Sequence, residues 1–91
     1  MIMFNFKEDI IRKKIISSNI VSVGYDIKTK ILEIEFKNNR VYRYYNVPNI
    51  EYAKLNKAKS KGRYFHYKIR NKYKFERKNT NADKMDKTDN M

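Results

Sequence analysis

The run RYFHYKIR, from Arg63 to Arg70, holds the side chains best able to do chemistry, and the chemistry they suit is capture of a polyanion. Guanidinium and ammonium groups meet phosphates whatever the base sequence, while exposed rings between them can stack on unpaired bases. The run lies inside Lys59 to Lys78, where nine basic residues stand with a single acid, Glu76, for a net charge of +8. Residues 1–58 carry +5 and residues 79–91 carry −1, so most of the chain's +12 falls within that one segment. Candidate phosphate contacts are Lys61, Arg63, Lys68, Arg70, Lys72, Lys74 and Arg77, with Tyr64 and Tyr67 as stacking partners. His66 is either a ligand contact in this set or, more simply, a surface or packing residue. The same run also reads as core aromatics with solvated charges, or as a surface for an acidic protein.

Other chemistry finds little support. His66 is the only histidine, which excludes a multi-histidine metal site, and the lack of cysteine excludes disulfides, thiolate nucleophiles and cysteine metal sites. Asp26, Glu33, Glu35 and Glu51 show no convergence, and with only Gly24 and Gly62 there is no glycine-rich phosphate loop. No catalytic, cofactor or metal residues are therefore expected. A small metal-dependent hydrolase built around Asp26 is a remote alternative. No apolar run approaches the roughly 20 residues that cross a bilayer, and Lys7, Glu8 and Asp9 interrupt MIMFNF before a signal sequence can form. The expectation is a cytoplasmic protein without membrane contact.

A scaffold must hold the basic run, and the stretch from Ile31 to Tyr45 provides its centre. Leu32, Ile34 and Phe36 alternate with Glu33, Glu35 and Lys37, the period of a strand with one buried and one wet face. Asn38 and Asn39 supply a turn. The chain returns with Tyr42 and Tyr44 toward the core, and with Arg43 and Tyr45 either displayed to a ligand or packed beneath the N-terminal segment. IVSVGYD gives a preceding strand, in which Gly24 marks a bulge, a bend or a close backbone approach. These elements predict a three-stranded antiparallel meander.

Pro48 opens a helix to Ala58, with Tyr52, Leu55 and Ala58 inward and Glu51, Lys54 and Lys57 toward water. Gly62 is suited to a positive backbone angle at the corner that follows. Phe65, Ile69 and Tyr73 repeat at four, which favours a second helix over Arg63 to Lys72 and places Arg63, Arg70, Lys74 and Arg77 along one flank; a strand remains the alternative. Residues 1–16 read as a short amphipathic helix through Ile10, Ile11 and Ile15, or as a strand on the sheet edge. Residues 79–91 are polar and expected to be disordered. The predicted fold class is α+β: the meander packed against two short C-terminal helices, with residues 1–16 as an extension, 17–78 as the domain and 79–91 as a tail.

SSNIVSVGYD, LEIEF, YRYYNVP, YAKLNKAKSKG and RYFHYKIRNKY, in this order and spacing, resemble the KTSC domain from about Ser17 to Tyr73. That family takes its name from the C-terminus of some lysyl-tRNA synthetases and also occurs as stand-alone bacterial or phage proteins. The resemblance aligns its Tyr-x-Tyr motif with Tyr42 and Tyr44, its Val-Pro with Val47 and Pro48, its Ser-x-Gly-x-Tyr-Phe block with Ser60, Gly62, Tyr64 and Phe65, and its Ile-Arg with Ile69 and Arg70. Asn39 stands where the family usually has Gly, and His66 where it often has Asn. Attachment to a synthetase implies RNA as partner. The expected function is a non-catalytic nucleic-acid-binding accessory domain, acting on RNA rather than duplex DNA. A protein-interaction module, or a phage or mobile-element modulator of an acidic host protein, is the alternative; oligomeric state is left open.

Overall fold

Alternating side chains along the central strands divide the molecule into two unlike faces. The computed structural model describes residues 10–78. Strands β1 (Lys13–Lys14), β2 (Ile20–Asp26), β3 (Ile31–Phe36), β4 (Val41–Tyr44) and β5 (Phe75–Lys78) form one antiparallel sheet in the order β1-β2-β3-β4-β5. Between β4 and β5 lie α1 (Asn49–Lys57) and α2 (Lys61–Tyr64), the latter running into a π-helical turn, Phe65–Ile69. In register, Leu32 lies between Tyr25 and Tyr44, and Ile34 between Val23 and Tyr42. This face meets Val47, Leu55, Phe65 and Ile69 from the helical layer. Ile20, Leu32, Ile34, Leu55 and Ile69 are fully buried, each contributing about 1.5–3 kcal/mol relative to exposure.

The asparagine turn forms as expected. Asn39 takes φ 66°, its N–H donates to the Phe36 carbonyl at 2.9 Å, and the Asn38 side chain accepts from the Arg40 N–H at 3.1 Å. Lys30 and Asn46 also adopt left-handed angles, at 61° and 58°. The Val47 N–H donates to the Lys30 carbonyl at 3.0 Å and the Tyr25 hydroxyl to the Val47 carbonyl at 2.6 Å, which fixes the entry into α1.

The predicted meander is an undercount by two strands. Lys13 and Lys14 pair with Val23 and Ser22, so the N-terminal segment supplies an edge strand rather than the amphipathic helix; β-branched isoleucines favour that choice. Gly24 makes it possible, because the Ile11 carbonyl oxygen and the Ile10 side chain occupy the space a Cβ would need. At the other end Phe75–Lys78 is β5, not an extension of the helical flank: Phe75 pairs with Tyr44, Glu76 with Arg43 and Arg77 with Tyr42. The second helix is likewise broken into α2 and the π turn, although Phe65 and Ile69 are both buried as their spacing required. Gly62 lies inside α2 without a positive angle. Its Cβ would meet Asn19 Oδ1 at 2.6 Å, so close approach explains it. The tail of 79–91, and the N-terminal expectation where it involves residues 1–9, lie outside the described residues.

Glu33, expected to keep the outer face wet, is completely buried. Its carboxylate pairs with Arg12 Nη1, with Arg43 Nε at 2.7 Å and with Lys78 Nζ at 3.6 Å. Ser22 Oγ accepts from Arg12 Nε at 2.9 Å and donates to Glu35 at 2.8 Å, so one guanidinium and two strands share a network. Burial of a carboxylate is tolerated here because cations surround it.

Replacing Glu33 with Gln should strand these cations and lower unfolding free energy by about 3–5 kcal/mol, read by denaturant titration. The glycines should separate in the same assay. Gly24→Ala forces backbone apart and should cost about 1–3 kcal/mol, whereas Gly62→Ala displaces only an exposed side-chain end, regains helix propensity and should stay within about 1 kcal/mol of the parent.

Candidate functional site

The basic run is held in place by another buried acid. Glu51, in the first turn of α1, accepts hydrogen bonds from the hydroxyls of Tyr64 and Tyr73, the latter at 2.7 Å, and from Lys72 Nζ at 3.2 Å. The helical spacing turns Glu51 toward water, but the fold buries it. Burial would push its carboxyl up, but the two phenols and the ammonium outweigh this and hold it below the ordinary glutamate value. Ser60 caps α2 by accepting the Arg63 N–H at 3.3 Å. The Arg70 N–H then reaches back five residues to the Phe65 carbonyl, at 2.9 Å. With Phe65 and Ile69 committed to the core, the segment presents two flanks.

On one flank, His66 and Arg70 border a groove of about 280 Å³ against the sheet. Five rings line it in a closed circuit: Phe36 to Tyr42 at 5.9 Å between centroids, Tyr42 to Phe75 at 5.8 Å, Phe75 to Tyr44 at 5.4 Å, Tyr44 to Phe65 at 5.3 Å, and Phe65 to Phe36 at 5.4 Å. All five contacts are tilted or edge-on, as ring quadrupoles prefer. Burial pushes the Tyr44 phenol up to about 12, with Tyr42 adding to the shift and Arg70 opposing it. Neither the Tyr42 nor the Tyr44 hydroxyl has a hydrogen-bond partner among the described residues. Arg70 Nη1 rests 3.3 Å from His66 Nδ1, and Asn19 completes the rim.

On the other flank, Arg63, Tyr67 and Lys68 border an open, largely apolar groove of about 490 Å³ that reaches Ala58, Lys59 and Tyr64. Tyr67 is 70% exposed. Among the described residues, no carboxylate lies within ion-pair distance of Arg63, Lys68 or Arg70.

The structure therefore gathers Arg63, Tyr64, His66, Tyr67, Lys68 and Arg70 onto one segment and sets other candidates apart. Of the two readings of Arg43, display is overturned: it is 7% exposed and bound to Glu33 on the opposite face of the sheet. Tyr45 donates its hydroxyl to Glu76 at 2.7 Å. Tyr64 and Lys72 are engaged with Glu51, and Lys61 Nζ donates to the Ala58 carbonyl at 3.1 Å. Lys74 is exposed in the turn before β5, and Arg77 lies in β5, so neither continues the Arg63–Arg70 flank. Phe36 reaches the groove from the face its period of two assigns, whereas Asn19 and Phe75 have no sequence signal of their own; recognising β5 brings Phe75 beside Tyr44. Asp26 accepts the Lys28 N–H at 3.0 Å, a bond that holds its carboxyl low and serves the turn. Among the described residues no group of three or more histidines and acids is placed to hold a metal, and no helix is long and apolar enough to cross a membrane.

These features define a small α+β domain with a cationic, aromatic-lined surface on one helical segment. The chain belongs to the KTSC domain family, which it matches over residues 16–73. It is 42% identical over 59 residues to a lysine–tRNA ligase of Trichormus variabilis, an alignment covering 65% of this chain and 10% of that protein. An uncharacterized protein of Stutzerimonas stutzeri is 45% identical over 49 residues, covering 54% and 69%. The crystal structure of a KTSC domain protein from Yersinia pestis superposes with a TM-score of 0.75 at 34% identity, covering 78% of this chain and 100% of that one. The chain thus spans about a tenth of the length of the ligase it matches. Tyr42, Tyr44, Phe65 and Arg70, which carry the family resemblance, all line the five-ring groove.

Because Glu51 is held low, its contribution to stability is complete above the ordinary value of 4.5 and is lost as pH falls below it. Tyr64 is pushed up to about 12 by burial and then by Glu51, so its contribution is present below pH 10 and lost as pH rises through the folded value. Glu51→Gln should flatten the acid limb of a stability-against-pH profile, and Tyr64→Phe should reduce the alkaline one.

Proposed function

We propose that this KTSC domain is a non-catalytic accessory module that binds single-stranded RNA through the Arg63–Arg70 segment. The observation that carries this reading is Tyr67, a largely exposed ring placed between Arg63 and Lys68 with no described carboxylate to neutralise either cation. An exposed ring among unpaired cations combines base stacking with phosphate attraction, and neither demands a particular sequence. The similarity to lysine–tRNA ligases supports RNA over duplex DNA, since those proteins are named for a tRNA substrate. The apolar floor of the Tyr67 groove favours a second reading, docking of a protein segment. That reading predicts binding retained at salt concentrations that remove RNA.

Affinity for short single-stranded RNA should fall as salt rises from about 50 to 300 mM, with a log–log slope near −0.7 for each phosphate contact. Arg63→Gln with Lys68→Gln should make the slope shallower by about 0.7 per cation lost. Tyr67→Ala should cost about 1–3 kcal/mol with little change in slope. Salt-insensitive binding, or unchanged affinity in the folded double variant, would remove the basis for this function.

A further inference from the structure

We infer that the five-ring groove captures one unpaired nucleotide, with its base among Tyr42, Tyr44 and Phe75 and its phosphate on Arg70. The RNA reading supplies the source of that nucleotide; the site itself stands on separate residues from the Tyr67 flank. Its volume of about 280 Å³ lies just below the roughly 300–1,000 Å³ found for small-molecule sites, which suits a single planar group and nothing larger. The walls are aromatic, yet the Tyr42 and Tyr44 hydroxyls have no partner among the described residues. Asn19 accepts from Ser17 at 3.4 Å through Oδ1, which leaves its amide N–H groups to donate. The ligand must therefore offer a ring and a polar edge together, because a purely apolar ring would cover these groups without satisfying them.

Charge selects further. Among the described residues no acid lines the groove, and the guanidinium of Arg70 is steadied by His66 at its rim. A nucleobase bearing a phosphate meets all three requirements: ring, hydrogen-bonding edge and anion. An acidic peptide with a phenylalanine supplies ring and anion, but its ring has no polar edge, so partners for the two phenols and the amide would have to come from its backbone rather than from the group seated among the rings.

The test uses the full chain and the four ribonucleoside 5′-monophosphates, with the matching nucleosides as controls, followed through the ring resonances of Tyr42 and Phe75 by NMR and through affinity by calorimetry. At least one monophosphate should shift these rings. Arg70→Gln should weaken the monophosphate about tenfold and the nucleoside little, as expected for loss of a charged hydrogen bond. Tyr42→Leu should weaken both by about fivefold or more, the scale of one lost stacking contact. Since a large change at buried Tyr44 risks the fold, Tyr44→Phe keeps the ring and should weaken nucleoside and nucleotide alike through the hydroxyl alone.

The inference is overturned if monophosphates leave both rings unmoved at millimolar concentration, or if an acidic phenylalanine peptide moves them and nucleotides do not. RNA that still binds through Arg63, Tyr67 and Lys68 in that event would retain the RNA function and reject base capture. Monophosphate binding without oligonucleotide binding would reject the RNA function and support the groove as a site for free nucleotides.

Discussion

A carboxylate sealed inside the sheet holds this architecture together. Glu33 reaches Arg12 from the N-terminal segment, Arg43 from β4 and Lys78 from β5 while itself belonging to β3. The attachment of β5 bears directly on the surface behind the sheet, because Phe75 joins Tyr42 to Tyr44 and closes the aromatic circuit. An interaction on one face thus maintains the shape of a groove on the other. A lone charge at that depth would be prohibitively costly; three cations and close packing make it a register-defining contact.

Glu51 performs a comparable task for the helical layer. Two phenols and an ammonium converge on it from both ends of the basic run, tying residues 64, 72 and 73 to the start of α1. Tyr64 is thereby drawn inward and the exposed Lys72 is committed to Glu51, while Arg63, Tyr67, Lys68 and Arg70 stay at the surface without a described carboxylate partner. The positive charge of the run is therefore sorted: part balances buried acids, and part stays uncompensated among the described residues.

The central hairpin was legible because Leu32, Ile34 and Phe36 keep a strict period of two and Asn39 can adopt a left-handed turn at little cost. Family resemblance was legible for a different reason, since separate blocks preserve their order and spacing. The outer strands were not. Lys13–Lys14 is two residues long, and FERK at 75–78 has a single apolar residue, so each is specified by pairing with a distant strand rather than by its own pattern. The burial of Glu33 and Glu51 is hidden from the sequence for a common physical reason, which also leaves Arg43 open between display and packing. Local alternation assigns charged residues to water, while their burial depends on partners 10 to 45 positions away in the chain, such as Arg43 and Lys78 for Glu33. The density of basic residues in the segment is plain from composition, but its division into two flanks depends on the π turn.

The cluster around Glu33 also bears on how such a domain can be tethered. Arg12 and Lys78, close to the two ends of the described chain, meet on the side of the sheet away from the aromatic groove. Fusion through either end can therefore use a connection that need not cross the groove. Attachment to a larger protein and exposure of the groove are compatible in this arrangement, because the two lie on opposite sides of the sheet.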